Sequence, residues 1–271
     1  MIEEQGAGCQ RHEALWRNIN PDNDILQMRI GFFIALGVMA IAVVLYGTAR
    51  HDSQSVVGNA DSVSHVGLSE GARRDSIKTL RAAVRKRIAD SDTYLGHALV
   101  EDDSVLRRWQ DRTIRMLTVH IGSNTTGGIS GELESSVLRA FSRWERVGAI
   151  PVTFRTVRDS ANAEVHVHWI HSFPVNRSGQ AQVFWDSDGW IRKAILTLAT
   201  HDPYGRPVNP DVLYTVSLHE IGHLLGLGHS DDPSDLMYAI TTAHDLTARD
   251  RRSARLLYAL PAGSIRDPRD Y

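Results

Sequence analysis

Three histidines and a glutamate in HEIGHLLGLGH, residues 219–229, are the residues whose types and spacing could do chemistry. His219 and His223 are four apart. On a helix that spacing puts both rings on one face, with Cα atoms about 6 Å apart along the axis. Two imidazole nitrogens can then meet one zinc ion at about 2 Å each. Glu220 lies near such a metal but offset from the ligand position, where it can take a proton from a metal-activated water. Gly226 can adopt the left-handed conformation that ends a helix and reverses the chain. His229, three residues on, can then return as a third ligand. Three protein ligands leave a position open for water, which is the catalytic rather than the structural arrangement of zinc. HExxH alone is a weak signal; the five fixed positions of HExxHxxGxxH are a specific one. The bland alternative is a helix with ordinary surface or core histidines.

The elements that must position these residues are legible nearby. Asn209 stands where an N-cap belongs, Pro210 fits the first turn, and Asp211 suits the positive helix end. The helix is read through VLYTVSLHEIGHLLGLGHS, with Gly226 as the residue able to end it. Upstream, RMLTVHI (115–121), PVTFRTV (151–157) and AEVHVHWI (163–170) read as strands. GQAQVFW (179–185) and WIRKAILTLA (190–199) read as a hairpin joined by Asp186-Ser187-Asp188-Gly189. That acidic turn offers too few ligands for calcium and reads as an ordinary turn. Ile129 to Val147 reads as an amphipathic helix with Leu133, Val137, Phe141 and Trp144 on one face. Strands, a helix and further helices after the sheet imply a mixed α/β (α+β) domain of roughly 150 residues.

HEIGHLLGLGH resembles the zinc-binding motif of the metzincin metalloproteases. Ser230 after the third histidine, and SDLMY with Met237 followed directly by Tyr238, resemble the matrixin branch, and its bacterial type in particular. The tail LTARDRRSARLLYAL (246–260) resembles the matrixin C-terminal helix, with Leu246, Thr247 and Asp250 matching, and SVLRRWQDR (104–112) is similar to a stretch of bacterial matrixin-like proteins. The resemblance covers residues 104–261. It implies a twisted, mixed five-stranded sheet with an active-site helix and a C-terminal helix. It implies one catalytic Zn2+ on His219, His223 and His229, with Glu220 as the catalytic base. Met237 would pack beneath the metal, Tyr238 would line the pocket for the side chain after the scissile bond, and the strand at Gln180–Trp185 would pair with an extended peptide.

Departures from the family pattern are also visible. His166, His168 and His171 cluster in one place, while apolar Val183 and Ile195 stand near other positions expected to ligate a structural zinc. A structural Zn2+ or Ca2+ is therefore not expected. Ala239 stands where proline often follows Met-Tyr, and Cys9, the single cysteine, leaves neither a disulfide nor a propeptide cysteine switch.

Composition sets the outer bounds. The 271 residues are 23% charged and 42% hydrophobic with net charge −2, which excludes a polytopic membrane protein and a wholly disordered chain and offers no basic excess for nucleic acid. The average conceals segments. Residues 1–29 carry three arginines and five acids, and read as a cytoplasmic leader. Residues 30–49 carry no charge and, as a helix, would rise about 30 Å, the thickness of a bilayer. They read as a single transmembrane anchor with the N-terminus inside and the protease outside; the alternative is a signal cleaved near Ala49, releasing a secreted enzyme. Residues 50–103 read as a linker followed by a basic helix over 70–90, with Ile77, Leu80, Val84 and Ile88 at helical spacing. That helix is either a solvated stalk or one that touches anionic headgroups. Residues 262–271 read as a C-terminal tail. The function expected is zinc-dependent hydrolysis of peptide bonds in extracytoplasmic proteins. The rival is a tethered, non-catalytic module that keeps its metal for stability.

Overall fold

A computed structural model describes residues 69–101, 103–110, 112–123, 131–148 and 150–266. The expected leader and the Ile30–Ala49 span lie outside the described residues. Among the described residues no helix is long and apolar enough to cross a membrane.

In chain order the elements are α1 (Glu70–Ala89), α2 (Leu95–Glu101), β1 (Val105–Leu106), β2 (Arg112–Ile121), α3 (Gly131–Val147), β3 (Val152–Val157), β4 (Val165–Ile170), β5 (Gly179–Trp185), β6 (Ile191–Ala199), α4 (Pro210–Leu224), α5 (Ala248–Tyr258) and β7 (Gly263–Ser264). Five strands form one mixed sheet in the order β3-β2-β4-β6-β5. β2 pairs parallel with β3 and β4, and β4 parallel with β6. Only β5, at one edge, runs antiparallel, against β6. This is the mixed five-stranded sheet that the family resemblance implied.

Alternation decides which face of the sheet is covered. Leu117 and Val119 on β2, Val165 and Val167 on β4, and Leu196 and Leu198 on β6 are all buried. The register places Val119 beside Val165, and Val167 beside Leu196, so these residues share a face. Helix α3 contributes Leu133, Val137, Phe141 and Trp144 to the core, the four residues its periodicity assigned to one face, and α4 contributes Leu213, Leu218, Ile221 and Leu224. His120, His166 and His168 fall on the alternate positions of their strands.

The core reaches past both ends of 104–261. Val84 and Ile88 of α1, with Tyr94, Leu95 and Leu99, are buried in the same cluster as Leu257 and Leu260. Arg85 Nη1 donates to the Ile265 carbonyl at 2.6 Å. The C-terminal half of α1 is thus seated on the domain, whereas Ile77 and Leu80 stay exposed. Residues Gly263–Ser264, expected within a tail, pair antiparallel with β1. The Asp186–Gly189 turn is an ordinary hairpin. Gly189 has φ +80°, and Asp186 Oδ1 accepts the N–H groups of Asp188 and Trp190, both at 3.0 Å. Its Oδ2 takes the Arg192 guanidinium at 2.6 Å.

Two buried tryptophans hold α4 by its backbone. Trp144 Nε1 donates to the Leu218 carbonyl and Trp109 Nε1 to the Leu224 carbonyl, each at 2.9 Å. The second bond satisfies a carbonyl of the last helical turn that has no partner within the helix. Trp109→Phe would leave that carbonyl buried and unpaired. The expected outcome is a loss of about 1–3 kcal/mol, read as a lower denaturation midpoint with an unchanged m-value.

Candidate metal centre

Helix α4 starts as its sequence suggested. The Asn209 side chain accepts the Asp211 N–H at 2.8 Å, with Pro210 opening the first turn. The helix stops at Leu224, and the chain reverses at Gly226, whose φ is +100°. Any side chain there would also collide with the Arg107 carbonyl. Glycine is therefore required twice over, by conformation and by space.

The reversal brings His229 back to His219 and His223. One ring nitrogen from each lies within 4.8 Å of the others, and no other such group of three acidic, cysteine or histidine residues occurs among the described residues. His219 Nδ1 faces the Leu236 carbonyl and His223 Nδ1 the Leu227 carbonyl, both at 2.8 Å. A carbonyl only accepts, so both Nδ1 atoms carry the proton and both Nε2 lone pairs face the centre. Those two Nε2 atoms stand 3.1 Å apart. Two lone pairs in that position repel unless a cation lies between them, and ligands about 2.1 Å from a tetrahedral zinc are separated by about this distance. Burial holds His219 below its ordinary pKa and His223 well below it, which keeps both in the neutral form that binds metal. The three residues thus fit a zinc ion.

Glu220 sits beside this centre, half-buried. Loss of water raises its pKa to about 7; the Ala181 N–H bonded to its carboxylate and the charge of Arg177 act in the opposite direction. Edge strand β5 runs close to it. A Cβ on Gly179 would stand 2.5 Å from Val216 Cγ1 and 2.8 Å from Glu220 Cγ, so glycine allows strand and helix to approach.

Met237 is fully buried under α4. It packs on Gly222, where a side chain would overlap its sulfur. Tyr238 is half-buried, and Ala239 and Ile240 after it are exposed. His166 and His168 lie on one face of β4 with ring centroids 6.1 Å apart, and His171 instead stacks on His201 at 4.2 Å.

The matrixin profile matches residues 108–259, more than half of the chain. The chain belongs to the matrixin family. Matrix metalloproteinase-20 of Homo sapiens is 31% identical over 140 residues, 48% of this chain and 27% of that protein. Matrix metalloproteinase-A of Caenorhabditis elegans is 24% identical over 212 residues, 72% of this chain and 39% of that protein. Metalloendoproteinase 1 of Glycine max is 26% identical over 184 residues, 60% of this chain and 56% of that protein. The chain therefore spans between about a quarter and just over half of each of these relatives. The matrixin family is one of zinc-dependent endopeptidases, in keeping with the zinc expected from the three histidines.

Several supports of this matrixin centre escaped sequence reasoning. Asp250, matched to the family only as part of a helix, is fully buried. Its carboxylate accepts the N–H groups of Leu236 at 3.1 Å, Met237 at 3.3 Å and Thr247 at 2.8 Å, and the hydroxyls of Thr247 at 2.7 Å and Tyr94 at 3.3 Å. Burial, followed by the charge and hydrogen bond of Asp250, pushes the Tyr94 phenol well above its usual pKa. Buried Asp235 joins Ser230, Thr247 and Arg249. The capping-box spacing of Thr247 and Asp250 was a visible signal for the first network; nothing in the sequence ties Asp235 to Arg249. Asp250→Asn would turn an amide NH2 toward these donors. It is expected to lower stability by about 2–4 kcal/mol in chemical denaturation and to weaken zinc retention in competition with a chelator, because the Leu236 carbonyl that orients His219 loses its support.

Proposed function

We propose that this chain is a zinc-dependent endopeptidase of extracytoplasmic proteins, with His219, His223 and His229 holding the metal and Glu220 as general base. The observation that carries the reading is the pair of Nε2 atoms on His219 and His223, 3.1 Å apart with Glu220 on the same helix. Zinc bound there would polarise the scissile carbonyl and bring the pKa of a water toward 7.

The chain's own residues supply the remaining steps. Glu220 takes a proton from the attacking water and passes one to the leaving amine nitrogen, so that atoms and charge balance as the C–N bond breaks. Burial raises the Glu220 carboxyl above its ordinary pKa, which favours its taking up a proton, and the charge of a bound zinc would favour its giving the proton up. The outer edge of β5 has backbone groups available to pair with an extended peptide, which orients the scissile bond by main-chain hydrogen bonds. Met237 gives the centre a rigid floor, and Tyr238 is assigned to the wall of the pocket for the side chain after the scissile bond. The uncharged segment Ile30–Ala49 supports tethering to a membrane with this domain outside; cleavage near Ala49 would release the same enzyme.

The reading is tested by zinc content together with cleavage of a proteome-derived peptide library by the full chain. Wild type is expected to bind one zinc, to cleave, to stop on chelation and to recover with zinc. Glu220→Ala is expected to keep zinc and lose about 10²–10⁴-fold in rate. Stoichiometric zinc without cleavage by wild type would replace this reading with the metal-stabilised binding module.

A further inference from the structure

Arg177 is carried to the cleft by the backbone around it. Its N–H donates to the Val175 carbonyl at 2.7 Å, closing a tight turn, and the next residue, Ser178, already accepts the Ala199 N–H at 2.9 Å in the sheet. Gly179 follows, where β5 packs against α4; a Cβ there would lie 3.2 Å from Glu220 Oε1. Arg177 is therefore two residues from a position where strand and carboxylate are in close contact.

The guanidinium is steadied but not neutralised. It lies 5.6 Å from the centroid of the buried Phe173 ring, a cation–π position that restricts its swing. The side chain is otherwise exposed. Arg192 and Arg206, in the neighbouring hairpin and loop, each close on an aspartate of their own at 2.6 Å. Among the described residues no carboxylate forms an ion pair with Arg177. A planar fork of donors, surface-exposed and two residues before the Gly179 contact with Glu220, matches the two oxygens of a carboxylate.

We propose that Arg177 is a specificity residue that selects peptides carrying an acidic side chain close to the scissile bond. The proposal rests on the proteolytic reading above and names the substrate class of that same site. An extended peptide on the edge of β5 advances about 3.3 Å per residue. A guanidinium two residues from the Gly179–Glu220 contact can thus reach side chains within two or three positions of the cleaved bond.

The test is the ratio of kcat/KM for matched peptides that differ only by Glu against Gln, scanned over three positions on each side of the bond. Wild-type full-length protein with zinc is expected to favour Glu about fivefold at one position, the scale of a partly exposed ion pair with a two-pronged donor. Arg177→Ala is expected to bring that ratio near one, and Arg177→Glu to take it below one. Because each ratio is internal to one protein preparation, a partly unfolded variant does not alter it. Wild type that cleaves with no acidic preference anywhere, or a preference that survives in Arg177→Ala, overturns the proposal and leaves the protease reading intact. Failure of wild type to cleave any peptide overturns both.

Discussion

Crowding one nitrogen from each of three imidazoles within 4.8 Å is the constraint on which the rest of the domain depends. Lone pairs at 3.1 Å repel in the absence of a cation, so each ring must be held from behind. Two of the holds are single backbone carbonyls, Leu236 for His219 and Leu227 for His223. Leu227 is set by the reversal at Gly226, and Leu236 by the turn that ends in Met237. A helix, a reversal and a turn must therefore keep register with one another before any metal can bind.

The buried polar groups answer that requirement. Asp250 gathers three backbone N–H groups and two hydroxyls, joining the turn at Leu236 and Met237 to the first turn of α5 and to Tyr94 before the sheet. A buried carboxylate is tolerated only when it is richly hydrogen-bonded. Its five donors explain why an acid can occupy the core here. Asp235, with Arg249, Ser230 and Thr247, repeats the device one layer out. Trp109 and Trp144 do the corresponding work for α4, combining large apolar bodies with one donor each.

Glycine has a different part, which is to let backbones meet. Gly222 admits Met237, Gly179 admits α4 to the edge of the sheet, and Gly226 admits the Arg107 carbonyl. Each removes a Cβ from a place where two elements touch. Together they bring Met237, edge strand β5 and the helix reversal to within van der Waals contact of the ligand helix.

The local features were readable from residue order alone because they depend on short-range physics. The cap at Asn209, the four-residue spacing of His219 and His223, the left-handed stop at Gly226, the apolar face of α3 and the turn before Trp190 all follow from helix and strand periods and from backbone sterics. The return of His229 to the other two histidines followed from the same glycine, and sequence resemblance added the mixed five-stranded sheet. What only the tertiary structure decided involves partners far apart in the chain. Trp109 meets Leu224 across 115 residues and Tyr94 meets Asp250 across 156, while Val84 and Ile88 enter a core most of whose members lie beyond Leu106. No local period encodes such contacts. They are settled by which apolar faces can be buried together and by which buried donors then find acceptors.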